Sequence, residues 1–142
     1  MTAYVLDSSV AAKWFLPPGE TLVNEALGIL DEYAAGTIQL LVPDLFWAEI
    51  GNILSKAVRT GRMSKASAEK AIGLATSHAI PTAPSFPLLG EAFAIATNFQ
   101  RSVYDSIYVA LALDRARLFL TADERLANSL AGRLPVRWLG TH

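Results

Sequence analysis

Short, mostly apolar segments alternate with longer segments of helical periodicity along the whole chain. Short apolar runs are typical of buried strands, and apolar residues spaced three to four apart indicate helices that pack on one face. The predicted strands are Ala3–Leu6, Ile38–Val42, Ile80–Pro84, Leu118–Leu120 and Val136–Leu139. The predicted helices are Val10–Phe15, Glu20–Ala35, Asp44–Thr60, Ser64–Ser77, Phe86–Phe99 and two more within Arg101–Leu126.

No two predicted strands are joined by a hairpin turn, so neighbouring strands are expected to run in the same direction. We therefore predict an α/β fold, with a parallel sheet of four or five strands and helices on both faces. Two prolines in Ile80–Pro84 place that strand at an edge of the sheet. A length of 142 residues fits one domain that spans residues 1–142.

The composition is unusually apolar, with 52% hydrophobic and 18% charged residues. Charges and prolines interrupt every apolar run, so we expect no membrane span, and the excess apolar surface is expected to serve an oligomer or a protein partner. The absence of cysteine excludes disulfides and thiolate metal sites, and the N-terminus does not resemble a signal peptide, which together favour a cytoplasmic location. A net charge of −1 means that local basic patches or metal ions would have to hold any nucleic acid.

The segment Arg101–Leu126 carries a carboxylate at each end of an almost unbroken apolar stretch. We predict a buried helix that begins at Asp105, a tight turn, a buried strand, and another helix that begins just after Asp123. A helix that runs antiparallel to its following strand starts at the carboxyl end of that strand. Asp105 and Asp123 are therefore expected at the same edge of the sheet.

Two further acids are expected at that edge. Asp7 directly follows the first strand, and Glu49 lies early in the helix after the second strand. Ligands of open α/β sheets bind in the crevice at the carboxyl ends of the strands. The sequence thus predicts that Asp7, Glu49, Asp105 and Asp123 converge on one site.

Each aspartate also has a purely structural interpretation as a helix N-cap, with Ser8 or Ser9 as an alternative cap of the first helix. The structural interpretation is weaker for Glu49, because it lies inside a helix at the edge of the apolar stripe. The convergence of four acids on one edge is what favours a functional site.

Four neighbouring carboxylates would repel one another unless a divalent cation relieved the conflict. All-oxygen coordination suits Mg²⁺ or Mn²⁺, and such ions support hydrolysis of phosphodiesters by an activated water. The hydroxyls of Ser9 and Thr121 lie beside these acids in the sequence and could support them, although local turn or cap roles explain them equally well. Phosphate-loop and dinucleotide-binding glycine motifs are absent.

The chain resembles the PIN-domain ribonucleases, in particular the small VapC-type toxins of toxin–antitoxin pairs. Four segments carry the resemblance, in the order and with the spacing of the family: Leu6–Val10, Pro43–Leu54, Tyr104–Ala112 and Leu120–Leu126. The third, YDSIYVALA, is the most distinctive. Together they cover nearly the whole chain, and no departure occurs at the four acids.

The resemblance implies a PIN-like nuclease domain whose catalytic and metal-binding residues are Asp7, Glu49, Asp105 and Asp123, around Mg²⁺ or Mn²⁺. It implies endonucleolytic cleavage of RNA, with Asp7 and Asp105 as the first choices for direct metal ligands. It also implies a homodimer and inhibition by a VapB-like antitoxin whose tail lies across the active-site groove.

Two other groups of residues stand out. Basic residues at the end of one helix and the start of the next are possible RNA contacts, or simply solvated charges on a helix pair: Lys56, Arg59, Arg62, Lys65 and Lys70. Large apolar residues near the predicted site are expected to be part core and part partner surface: Trp14, Phe15, Leu16, Phe46 and Trp47.

Three alternatives remain open at this stage. The chain could be a non-catalytic member that binds RNA or protein, or an RNA-processing nuclease without an antitoxin. An aspartate-phosphorylated receiver is a third possibility, but Ser8 and Ser9 stand where a second acid is needed, and no lysine follows Val103.

Overall fold

The computed structural model describes all residues from Met1 to His142. The strands are β1 (Thr2–Leu6), β2 (Ile38–Pro43), β3 (Thr82–Ala83), β4 (Leu118–Thr121) and β5 (Val136–Trp138). The helices are α1 (Ser8–Phe15), α2 (Val23–Ala34), α3 (Leu45–Arg59), α4 (Lys65–Ser77), α5 (Leu89–Phe99), α6 (Val103–Asp114) and α7 (Glu124–Leu130). Short 3₁₀ turns occupy Phe86–Leu88 and Leu139–Thr141.

The five strands form one parallel sheet in the order β3-β2-β1-β4-β5. The prediction of a parallel α/β sheet is confirmed, including the position of the proline-flanked strand β3 at an edge. After β1, the next two strands of the chain, β2 and β3, lie on one side of β1. The strand that follows them, β4, lies on the other side of β1. The strand order therefore reverses between β1 and β4, and a crevice forms at such a switch point.

Helices cover both faces of the sheet. Successive residues of a strand point to opposite faces, and Tyr4, Val5 and Leu6 of β1 are all buried. Helices α5 and α6 pack against each other, and α6 lies over β1, β2 and β4, whereas α1 packs against α2 and α3. Right-handed crossovers place α1 to α4 on one face, and α5 and α6 on the other. No helix combines the length and the apolar character needed to cross a membrane.

Helix α6 is buried along most of its length, as its apolar sequence predicted. Every residue from Ser106 to Ala112 is buried, which fixes the helix rigidly against the sheet. Its start differs from the prediction: the helix begins at Val103, and the hydroxyl of Ser102 caps it by accepting the backbone N–H of Asp105. Asp105 therefore lies in the first turn and is not the cap.

Two other helix starts also differ from the prediction. Asp7 occupies the N-cap position of α1, so neither Ser8 nor Ser9 is the cap. Helix α2 begins at Val23 and not at Glu20, because Leu22 adopts a left-handed conformation (φ 56°) that interrupts helical geometry. Glu20 consequently lies in the irregular segment between α1 and α2.

Candidate active site

Asp7 lies at the point where the strand order reverses. It is the first residue after β1, and its backbone N–H donates to the carbonyl of Leu120 in β4 (3.0 Å). This bond extends the β1–β4 pairing by one residue and fixes the Asp7 backbone at the carboxyl edge of the two strands. The residue is only 9% exposed.

Two hydroxyl groups hold the Asp7 carboxylate. Thr121 Oγ1 donates to Oδ2 at 2.7 Å and Ser9 Oγ donates to the same oxygen at 2.8 Å, which leaves Oδ1 without a hydrogen bond from the chain. Burial raises the pKa of Asp7 to about 6, the two hydroxyls oppose that rise, and the charges of Glu49 and Asp105 add to it. The structure thus places both predicted supporting hydroxyls directly against Asp7.

Glu49 is held in the same way. Its Oε1 accepts hydrogen bonds from the hydroxyl of Tyr108 in α6 and from Ser8 Oγ at the start of α1 (3.2 Å), whereas Oε2 has no partner in the chain. The side chain is half-buried, and burial raises its pKa, with the two hydroxyls opposing the rise and the charge of Asp105 adding to it. Glu49 therefore presents one oriented, free carboxylate oxygen beside Asp7.

Asp105 and Asp123 complete the row of acids. Burial raises the pKa of Asp105, Ser102 and the charge of Arg101 oppose the rise, and the charge of Asp123 adds to it. Asp123 is exposed at the N-cap of α7, where its Oδ1 accepts the backbone N–H of Leu126 (3.0 Å). The cap interpretation is thus correct for Asp123, and its second oxygen stays available.

The four acids form an open row. The mutual effects on pKa link Asp7 to Glu49 and Asp105, Glu49 to Asp105, and Asp105 to Asp123. None of them is in an ion pair, since the ion pairs of the chain involve other acids. Equally, no three His, Asp or Glu side chains converge tightly enough to hold a metal ion unaided. The arrangement is therefore looser than the sequence suggested.

The residues present nevertheless fit Mg²⁺ or Mn²⁺. Mg²⁺ keeps several waters and is usually bound through one or two carboxylates together with substrate phosphates, so a closed cage of side chains is not required. Asp7 and Glu49 each keep one carboxylate oxygen without a hydrogen bond from the chain, so each can offer an oxygen ligand. Only oxygen ligands are offered, which disfavours zinc.

A groove runs along α3 past these acids. One cavity of about 290 Å³ lies on the Glu49 side and is lined by Ser8, Glu49 and Tyr104, among others. A second cavity of about 420 Å³ lies on the Asp123 side and includes Ser9 in its lining. Ile53 lines both cavities, so they adjoin, and the two together are called the groove here; Asp7 and Asp105 line neither cavity.

The basic residues are divided between two surfaces. Lys56 and Arg62 line the cavity beside Asp123, whereas Arg59 and Lys65 line a separate cleft between α3 and α4. Arg59 also donates to Ser55 within its own helix (2.9 Å). Lys56 and Arg62 thus lie at the cavity beside Asp123, Arg59 lies at the other cleft, and RNA contact by any of the three stays a prediction.

The large apolar residues near the site are mainly packing residues. Phe46 is fully buried, while Trp14, Phe15, Leu16 and Trp47 are half-buried against the core. Of these, only Leu16 lines the groove. The core part of the expectation is confirmed, and a partner surface formed by the part-exposed members stays a prediction.

Tyr108 and Ser8 were not predicted to act at the site, although both orient Glu49. Tyr108 did offer a signal, because a hydroxyl within an otherwise apolar, buried helix needs a hydrogen-bonding partner. The identity of that partner, 59 residues away in sequence, follows only from the fold.

Comparisons with known proteins agree with this geometry. The model of the PIN domain family matches residues 4–129. Among solved structures, the protein PAE2754 from Pyrobaculum aerophilum superposes with a TM-score of 0.72 at 22% sequence identity, over 99% of this chain and 91% of that one. A chain from a toxin–antitoxin complex of Klebsiella pneumoniae gives a TM-score of 0.63 at 17% identity, over 96% of each chain.

A chain from VapBC2 of Rickettsia felis, bound to a DNA fragment from its promoter, gives a TM-score of 0.65 at 12% identity, over 96% of this chain and 98% of that one. At these identities the likeness shows a shared fold. Comparison with curated protein sequences gives no match.

Proposed function

Because this chain belongs to the PIN domain family, whose members are generally nucleases, we propose that it is a Mg²⁺- or Mn²⁺-dependent endoribonuclease and the toxin of a toxin–antitoxin pair. The observation that carries the proposal is the row of four acids, none of them in an ion pair, at the switch point of the sheet, with Glu49 and Asp123 lining the adjoining groove. Asp7, Glu49, Asp105 and Asp123 are the proposed catalytic and metal-binding residues.

The four acids have different proposed roles. Asp7 directly follows the buried strand β1, Asp105 lies in the first turn of α6 just before its buried part, and both are proposed as direct ligands. Glu49 keeps Oε2 free of hydrogen bonds from the chain and is proposed to accept a proton, because burial raises its pKa. Asp123 offers its uncapped oxygen at the solvent side. A divalent cation, when bound, supplies charge stabilisation for the phosphodiester and acidifies a water molecule.

The hydroxyl donors set the geometry of these groups. Ser9 and Thr121 lock one oxygen of Asp7, and Ser8 and Tyr108 lock one oxygen of Glu49. Each carboxylate therefore has a single free oxygen with a fixed direction. Such second-layer hydrogen bonds orient metal ligands and affect metal affinity.

The proposed role as a toxin is supported by two of the structurally similar proteins. Two of the similar structures come from a toxin–antitoxin complex and from VapBC2. We propose that a VapB-like antitoxin covers the groove in the cytoplasm and that the chain forms a homodimer. The exposed apolar side chains of Phe86, Leu89 and Phe93, on one side of α5 and the turn before it, offer a contact surface of the kind that protein partners use.

Induced expression in a bacterial host tests the toxin role. Expression of the parent chain is expected to arrest growth and to be accompanied by cleavage of cellular RNA. The variant Asp105→Asn keeps the shape of the first turn of α6 and is expected to permit normal growth, whereas Asp114→Asn at the exposed end of the same helix serves as the control. Growth arrest by Asp105→Asn at equal protein levels would contradict the proposal.

A further inference from the structure

The cavity beside Asp123 contains a cationic site that the four acids do not explain. Lys13 of α1 and Arg62, which follows α3, both project toward it, and Lys56 lines the same cavity. The Lys13 side chain is only 9% exposed, although a lysine is rarely buried without a partner. Its environment therefore has to supply a negative charge.

Glu20 supplies that charge. Its Oε1 lies 3.6 Å from Lys13 Nζ, and its Oε2 lies 3.1 Å from Arg62 Nη2. One carboxylate thus bridges two cations from different elements, as a phosphate group with several acceptor oxygens would. Glu20 belongs to the irregular segment between α1 and α2, so its side chain can withdraw without unwinding a helix.

The cavity has the dimensions and lining of a nucleotide subsite. Its volume of about 420 Å³ lies within the range of small-molecule sites. Its apolar lining could support a base or ribose: Ala12, Leu16, Ile53, Ala57 and Ala122. Ser9 and Asp123 line the same cavity, so a nucleotide bound there is directly adjacent to the row of acids.

We propose that Lys13 and Arg62 form a phosphate subsite for an RNA nucleotide next to the scissile bond, and that Glu20 occupies this subsite until the RNA displaces it. This inference rests on the proposed ribonuclease function, and it adds a defined contact for the strand outside the acids. Glu20 acts as an internal competitor, so its loss strengthens RNA binding, whereas the loss of an ordinary structural ion pair would not.

The test measures binding of a short, fluorescein-labelled, single-stranded RNA of mixed sequence by fluorescence anisotropy. EDTA is present so that the RNA is bound without being cleaved. Glu20→Gln is expected to bind this RNA about threefold or more tightly than the parent. Glu69→Gln is the matched control, because it removes the same charge from an exposed carboxylate paired with Lys65 on α4. Arg62→Gln, a change at a half-exposed side chain, is expected to weaken binding and to reduce the slope of log K against log salt by about 0.7.

Equal RNA affinities of Glu20→Gln and Glu69→Gln would overturn the proposed subsite. Weaker RNA binding by Glu20→Gln than by the parent would also overturn it. Either result is expected if Lys13 and Arg62 instead bind a carboxylate of a protein partner. The failure of the ribonuclease proposal is seen separately. It appears as equal RNA cleavage by the parent and Asp7→Asn in Mg²⁺, whatever the anisotropy measurement gives.

Discussion

The hydroxyl of Thr121 donates a hydrogen bond of 2.7 Å to Oδ2 of Asp7, across the boundary between β4 and β1. The same Thr121 oxygen accepts the backbone N–H of Asp123 at 3.0 Å. One fully buried side chain thus links the two acids at the ends of neighbouring strands. It sets the direction of the Asp7 carboxylate and, through the backbone, the position of Asp123.

Replacing Thr121 with Val is expected to shift the pH dependence of RNA cleavage. The change removes a hydrogen bond that lowers the pKa of Asp7, so this pKa rises further above about 6 and the acidic limb of the activity profile moves to higher pH. The fold is expected to lose about 1–3 kcal/mol, because the Asp123 N–H loses its acceptor. Thr121→Ser keeps the hydroxyl and should retain the parental profile; an unshifted limb in Thr121→Val would refute the account.

The metal-free protein is expected to carry a stability cost from ionised Asp7 at neutral pH. Because the pKa of Asp7 is about 6 in the folded chain and 3.8 for an unperturbed aspartate, the folded state favours the protonated form. The contribution of protonated Asp7 to the unfolding free energy is fully present below about pH 4 and is lost as the pH rises through about 6. Relative to Asp7→Asn, the parent should lose up to about 3 kcal/mol of unfolding free energy between pH 4 and pH 7.5 in EDTA.

Urea unfolding of both proteins at several pH values measures this difference. Parallel pH dependences of the parent and Asp7→Asn would mean that Asp7 is not a buried titrating group in the free chain.

Removing the hydroxyl of Tyr108 is expected to impair activity while the fold survives. Tyr108→Phe keeps the ring stacked on Phe119, at a centroid distance of 5.1 Å, but deprives Glu49 Oε1 of a donor. Cleavage is expected to fall by about tenfold, the low end of effects for groups that orient metal ligands. Tyr33→Phe on α2 is the control, and thermal melting checks the fold. Parental activity in Tyr108→Phe would show that the orientation of Glu49 does not matter.

Mg²⁺ and Mn²⁺ are expected to stabilise the folded chain through the acids. Binding to the folded state alone raises the unfolding free energy by about 2.7 kcal/mol at a hundredfold excess over Kd. Thermal melting with and without each ion should show a rise for the parent and for Asp114→Asn, and a much smaller rise for Asp105→Asn. An equal rise in Asp105→Asn would place the ion elsewhere.

The sheet and the convergence of the acids were predictable because strand direction fixes which ends meet. Once the strands at Ala3–Leu6 and Leu118–Leu120 are taken as parallel, Asp7 and Asp123 have to share an edge, as they do. The position of Asp105 at this edge was predictable for the same reason, although the prediction that α6 begins at Asp105 was wrong. Ser102 also fits an N-cap, and spacing alone did not distinguish a cap from the first turn that follows it.

The sequence alone could not predict the hydrogen bonds of Glu49, or that the basic residues lie on two different surfaces. Tyr108 meets Glu49 only because α6 and α3 approach across the carboxyl edge of the sheet, which is a tertiary relationship. Arg59 and Arg62 are close in sequence, but α3 ends at Arg59 and Gly61 turns the chain with a positive φ of 76°. Helical spacing therefore does not apply between them, and they face different cavities.

The most direct test of the central claim is cleavage of a structured RNA by the purified chain. We predict cleavage in Mg²⁺ or Mn²⁺ and none in EDTA. Asp7→Asn and Asp105→Asn should each lose cleavage while remaining folded by circular dichroism, and Asp114→Asn should cleave as the parent does. Cleavage that persists in EDTA, or that Asp7→Asn and Asp105→Asn retain at the parental rate, would contradict a metal-dependent site built on these acids.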